Sequence, residues 1–144
     1  MAVGYNAPVT FINTVVNDNQ VSHFGAGLAV DGSDVRFLHT TIARNSGGDG
    51  SGVHVVLTST VNMTNTILFS HTVGITVAAG NTATLNATLW HANGSKTGGA
   101  WTINTTNNHD GDADGYHLTS NSAAIDQGVE AGVTADIDGE VPPI

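Results

Sequence analysis

The residues best placed to do chemistry lie near the C-terminus. Asp110, Asp112 and Asp114 alternate with Gly111 and Ala113 and are followed by Gly115. Carboxylates at alternate positions can converge on a hard cation, and a glycine then makes the sharp turn, which is how a calcium loop opens. In that pattern the next ligand is the carbonyl of Tyr116, so Asp110, Asp112, Asp114 and Tyr116 are the metal set to expect, with Ca2+ as the ion. The set is incomplete, because Asn121 stands where a bidentate acid belongs and no helical pattern flanks the loop. An exposed acidic turn is the plainer reading of the same residues.

Other candidate chemistry is sparser. Two carboxyls that flank a glycosidic bond must come from separate places in the fold, whereas Asp31 and Asp34 share one turn. The seven histidines are scattered, and the chain holds three bases, Arg36, Arg44 and Lys96, against twelve acids. Its net charge of −9 leaves no cationic footprint for a phosphate backbone, so nucleic acid is excluded as a partner. No apolar run approaches the ~20 residues of a membrane-spanning helix. There is no cysteine, hence neither a disulfide nor a thiolate metal site.

What would position such residues is a repeat. The segments Val9 to Val16, Val35 to Ile42, Val61 to Leu68 and Ala83 to Trp90 share one pattern of apolar residues two apart, then a Thr, then another apolar residue. The second apolar position falls at 11, 37, 63 and 85, and a fifth is expected at Ile103. The spacings of 26, 26, 22 and 18 residues are solenoid lengths. Between these segments lie Gly27, Gly52, Gly74 and Gly99, each followed by apolar residues at alternate positions, the mark of a half-buried strand. The composition agrees: charged residues are only 10%, and β-branched residues with Gly and Asn replace helix formers. The expected fold is all-β: a right-handed parallel β-helix of about five coils with three short strands per coil. Residues 1–103 form the coils, and 104–144 form an acidic, irregular C-terminal cap in the same domain.

Two polar columns recur in the repeat. Asn19, Asn45, His71 and Asn93 form one, read as a ladder of turn residues hydrogen-bonded from coil to coil, with Asn tolerating a left-handed backbone. Thr14, Thr40, Thr66 and Thr88 form the other. Pointing outward it would make an ice-binding face, but its parity with the inward apolar residues places it at a corner. His39 shares a column with Asn13 and Asn65, so it and His71 read as turn residues.

The repeat Val-x-Phe-x-x-Thr-x-Ile-x-x-Asn at Val35 to Asn45 resembles the right-handed β-helix repeats of pectate-lyase-like and polymorphic outer membrane proteins. The tail from Asp114 to Gly128, with Ala124, Ile125 and Asp126 at its centre, then Asp136 to Gly139 and Pro142, is similar to the C-terminal signature of bacterial choice-of-anchor Q β-helix proteins. Asn121 and Ala123 stand where that signature has Gly and Pro. The resemblance implies an exported or cell-surface bacterial protein whose signal and anchor lie outside this chain. Gly50 to His54 is a faint echo of the Gly-His of polygalacturonase-like enzymes.

The function to expect is therefore a non-enzymatic, extracellular structural or adhesive β-helix segment, assembling end to end into filaments through its exposed coil edges. The alternative is a β-helix that binds or cleaves a polysaccharide along its long face, as pectate-lyase-like proteins do.

Overall fold

The computed structural model describes residues 1–111 and 127–135. Each coil forms three short strands. The first holds β1 (Ala2–Gly4), β2 (Val9–Ile12) and β3 (Val15–Asn17), with a further short strand β4 (Gln20–Val21). The second holds β5 (Leu28–Asp31), β6 (Asp34–Leu38), β7 (Thr41–Ala43) and the short β8 (Ser46–Gly47). The third holds β9 (Ser51–Val56), β10 (Thr60–Thr64) and β11 (Ile67–Phe69), and the fourth β12 (Val73–Val77), β13 (Thr82–Asn86) and β14 (Leu89–His91). The fifth holds β15 (Ser95–Gly99), β16 (Thr102–Thr106) and β17 (His109–Asp110). No helix occurs among the described residues.

Equivalent strands stack into three parallel sheets of five strands each: sheet A (β1, β5, β9, β12, β15), sheet B (β2, β6, β10, β13, β16) and sheet C (β3, β7, β11, β14, β17). The molecule is thus a three-sided parallel β-solenoid with four rung-to-rung steps. β4 and β8 pair separately, as a two-stranded ribbon beside the first two coils.

Alternation within each strand fills the interior. Val35, Phe37, Val61, Met63, Ala83 and Leu85 of sheet B point inward and are fully or almost fully buried. They meet Leu28, Val30, Val53, Val55, Ile75 and Val77 of sheet A and Ile42 and Leu68 of sheet C. In-register pairing stacks like on like: Phe11 lies opposite Phe37, Phe37 opposite Met63 and Met63 opposite Leu85. The Phe11 and Phe37 rings stack with centroids 5.1 Å apart. Each such side chain removed from water contributes about 1.5–3 kcal/mol, so the spacing of apolar residues in the repeat is what closes the solenoid.

The last rung departs from the expected register. Leu85 pairs with Thr105, and Ile103 pairs with Ala83, so Ile103 continues the column of Val9, Val35 and Val61. Gly99 does not lead a strand; it ends β15 with φ of 86°. The cause is a shorter turn between sheets A and B: residues 78–81 fill it in the fourth rung but only 100–101 in the fifth. The boundary expected at residue 103 falls inside β16, and the coils continue to Asp110. The described part of the tail, 127–135, lies against the corner between sheets B and C beside the first three rungs, where it bonds to Asn13 and Asn65.

Candidate functional site

One rule governs the polar residues at all three corners: a residue with positive φ is followed by a polar one, and those of the inner rungs are buried. After sheet C, Asp18, Arg44, Ser70 and Ala92 have φ of 50–57° and precede Asn19, Asn45, His71 and Asn93. After sheet B, Asn13, His39, Asn65 and Ala87 have φ of 49–52° and precede Thr14, Thr40, Thr66 and Thr88. After sheet A, Gly32, Thr58 and Gly80 have φ of 59–78° and precede Ser33, Ser59 and Asn81, all buried. A left-handed residue turns the chain sharply, and the next side chain then points into the corner. The left-handed backbone expected at Asn19, Asn45, His71 and Asn93 therefore sits one residue earlier.

Asn45 and His71 are 2% and 4% exposed, and the column is continuous. Asn45 Oδ1 accepts from the backbone N and Nδ2 of Asn19 at 3.0 and 2.8 Å, and its Nδ2 donates to the Val16 carbonyl at 3.0 Å. The same Nδ2 lies 3.3 Å from His71 Nε2. His71 Nδ1 lies 3.2 Å from Asn93 Oδ1, and Asn93 Nδ2 closes the run on the Leu68 carbonyl at 2.7 Å. The network assigns one tautomer: His71 donates from Nδ1 and accepts at Nε2. Burial lowers the His71 pKa below its ordinary value, against the hydrogen bond to Asn93, which raises it. The column also crowds two of the recurring glycines, Gly27 and Gly52. A Cβ on Gly52 would stand 2.9 Å from the His71 ring, and one on Gly27 would stand 3.0 Å from Asn45 Nδ2.

Thr40, Thr66 and Thr88 are buried, so no flat outward threonine array forms in this column. Thr14, Thr40 and Thr66 donate to the carbonyl two residues back, at 3.0, 3.1 and 3.4 Å. Thr88 Oγ1 has no partner among the described residues.

A groove lies outside both columns. It has a volume of about 570 Å3 and runs between the outer face of sheet A and residues 20–25, with Gln20, His23, Phe24, Asp31, His54 and Val56 in its walls. It exists because the first two coils carry extra residues between sheets C and A, which form the ribbon of β4 and β8. The two layers of that loop pack so closely that a Cβ on Gly48, at φ of 58°, would collide with the His23 carbonyl.

His54 lines the groove, and its Nδ1 lies 2.5 Å from Asp49 Oδ2. Asp49 is held by the Gly25 amide at 3.1 Å, the Ser51 amide at 3.2 Å and Ser51 Oγ at 2.7 Å. Burial pushes the Asp49 pKa up, but these bonds and His54 outweigh it, and the carboxyl titrates below its ordinary value. A charged Asp49 accepts the Nδ1 proton of His54, leaving Nε2 to accept a hydrogen bond or a proton. Phe24, 60% exposed, leans over the imidazole with ring centroids 4.9 Å apart. An oriented imidazole beside an exposed aromatic can grip a ligand that has both an apolar face and hydroxyls.

Of these groups, only the Gly50 to His54 run stood out in the sequence, and Phe24 and Asp49 did not. The signal that marks them is the longer period of the first two coils, which requires an excursion from the solenoid. Of the calcium set, Asp110 ends β17, where its carboxylate meets Lys96 Nζ at 2.6–2.7 Å. Asp112, Asp114 and Tyr116 lie outside the described residues. Among the described residues no group of three or more His, Asp or Glu is arranged to hold a metal, and no helix is long and apolar enough to cross a membrane. Compared with protein-family models, curated proteins and solved structures, the chain matches none.

Proposed function

We propose that this chain is a non-enzymatic, extracellular adhesive segment of a bacterial surface or secreted protein, and that its adhesive contact is a polysaccharide lying in the groove on sheet A. The observation that carries the reading is Phe24 over the Asp49-held His54 in that groove. Asp31 adds a carboxylate, and none of the three bases lines the walls. That charge favours neutral or amine-bearing sugars over uronates.

Affinity electrophoresis through gels containing chitosan oligosaccharides, a neutral β-glucan or polygalacturonate tests this. Retardation is expected in the first two, weakened about tenfold by Phe24→Ala, the scale of one lost aromatic contact. Equal migration in all gels overturns it.

Two further readings each have an observation behind them. An oriented imidazole also suits proton transfer, so a polysaccharide-cleaving enzyme is the second; release of reducing ends, abolished by His54→Ala, would favour it. End-to-end assembly is the third. Among the described residues the first-rung strands pair on one side only, and Met1, Tyr5, Ile12 and Val15 are exposed there. Such an open edge is a template for another chain.

A further inference from the structure

The corner between sheets B and C carries a column of left-handed residues with outward side chains, and the described tail is held by it. Asn65 treats the peptide of Val129 as a strand edge would. Its Oδ1 accepts the Val129 amide at 2.8 Å, and its Nδ2 donates to the Val129 carbonyl at 2.6 Å. Two rungs away, Asn13 Nδ2 donates to the Ala135 carbonyl at 2.5 Å. Between them His39 Nε2 lies 3.3 Å from Asn65 Nδ2, and the charge of Glu130 acts on the imidazole. Along the tail Val129, Ala131, Val133 and Ala135 are half-buried, while Glu130, Gly132 and Thr134 are exposed. This period of two means that one face of the segment lies on the solenoid.

We propose that this corner is a docking track for an extended peptide backbone, and that its partner in trans is residues 127–135 of a second copy of the chain. The recognition is of backbone: the amides of Asn13 and Asn65 bond to peptide groups, and the half-buried side chains of the described tail are small, Ala and Val. A second copy carries an identical segment by construction. The occupant in cis keeps one face in water, which places it at the readily opened end of the structure. Cis and trans occupancy then compete through effective concentration. The inference does not rest on the groove, nor on stacking through the first rung.

The full chain contains no cysteine, which allows a clean test with a short bis-maleimide cross-linker. His39→Cys is placed in one chain and Glu130→Cys in a second, size-tagged chain, so that a cross-link of the mixed size can form only between copies. Leu38→Cys replaces His39→Cys if the corner does not tolerate it. The expected result is a mixed-size product that grows with protein concentration, persists when Val15→Lys disrupts the first rung, and falls about threefold with Asn65→Ala, as the net loss of its bonds to the tail requires. The double variant His39→Cys, Glu130→Cys is expected to link within one chain at low concentration. Absence of the mixed-size product up to millimolar protein, or its loss with Val15→Lys and not with Asn65→Ala, overturns the proposal. Failure of the double variant to link overturns the docking itself.

Discussion

Two columns of Asn and His climb the same solenoid and do opposite things. The column of Asn19, Asn45, His71 and Asn93 turns inward, with Asn45 and His71 buried, and bonds from rung to rung, ending on the Val16 and Leu68 carbonyls. The column of Asn13, His39 and Asn65 is external and bonds to the tail. Residue types and spacing are nearly identical, so neither explains the difference. Position relative to the left-handed residue does. A side chain on that residue projects out of the corner; one placed after it projects in. The same two side-chain chemistries therefore serve as interior cement in one column and as a peptide holder in the other.

The largest expected effect breaks the internal column. Asn45→Ala strands the Val16 carbonyl and His71 Nε2 in a buried corner, where an unsatisfied polar group costs about 1–3 kcal/mol. A loss of about 2 kcal/mol in urea unfolding is the expected outcome. Asn65→Ala, the external counterpart, leaves its partners free to meet water and is expected to cost about 0.5–1 kcal/mol. Equal losses for the two would mean that the external corner is as closed as the internal one.

This contrast also marks what could be read from the sequence. The apolar spacing at Phe37, Met63 and Leu85 reports burial directly, so the coils and their number follow from it. The polar ladder is legible as a column, because Asn19, Asn45, His71 and Asn93 recur at the coil period. Its backbone geometry is not, since a one-residue shift of the positive φ leaves the period unchanged. The ladder of Ser33, Ser59 and Asn81 is hidden because its members differ in type. The register of the last rung failed at Gly99, where a shortened turn mimics the glycine that leads earlier strands. The groove was least legible. Asp49 and His54 meet across a local turn five residues long, but Phe24 comes from a full coil earlier, so only stacking brings the aromatic ring to the pair.

Acid provides the next comparison, because each column contains one histidine that works as an acceptor. Burial lowers the pKa of both His71 and His39; the Asn93 bond opposes this for His71, and the Glu130 charge opposes it for His39. With folded values below 6.5, the unfolded chain takes up these protons first. Stability is therefore complete above about pH 6.5 and falls as the pH drops from there toward the lowered folded values. Protonating His71 Nε2 also sets two donors, His71 and Asn45, against each other. Urea unfolding at pH 7 and pH 5 is expected to show this loss, reduced more by His71→Asn than by His39→Asn. The reverse order would assign the acid sensitivity to the external corner.

The smallest effect sharpens the comparison at the place where the external column lacks its amide. Ala87 occupies the position of Asn13 and Asn65 and has φ of 52°, while Asn107 resumes the column one rung on at 53°. An alanine methyl gains nothing at this conformation and suffers the usual clash of a Cβ in left-handed backbone, which Asn offsets with local hydrogen bonding. Ala87→Asn is therefore expected to raise stability by about 0.5–1 kcal/mol in urea unfolding. Ala87→Gly separates the two contributions, because it relieves the backbone and supplies no amide. If only Asn stabilises, the column acts through side-chain bonds between rungs. If both do, the external corner selects Asn for its backbone alone, and its bonds to the tail are a second use of a residue that the turn already required.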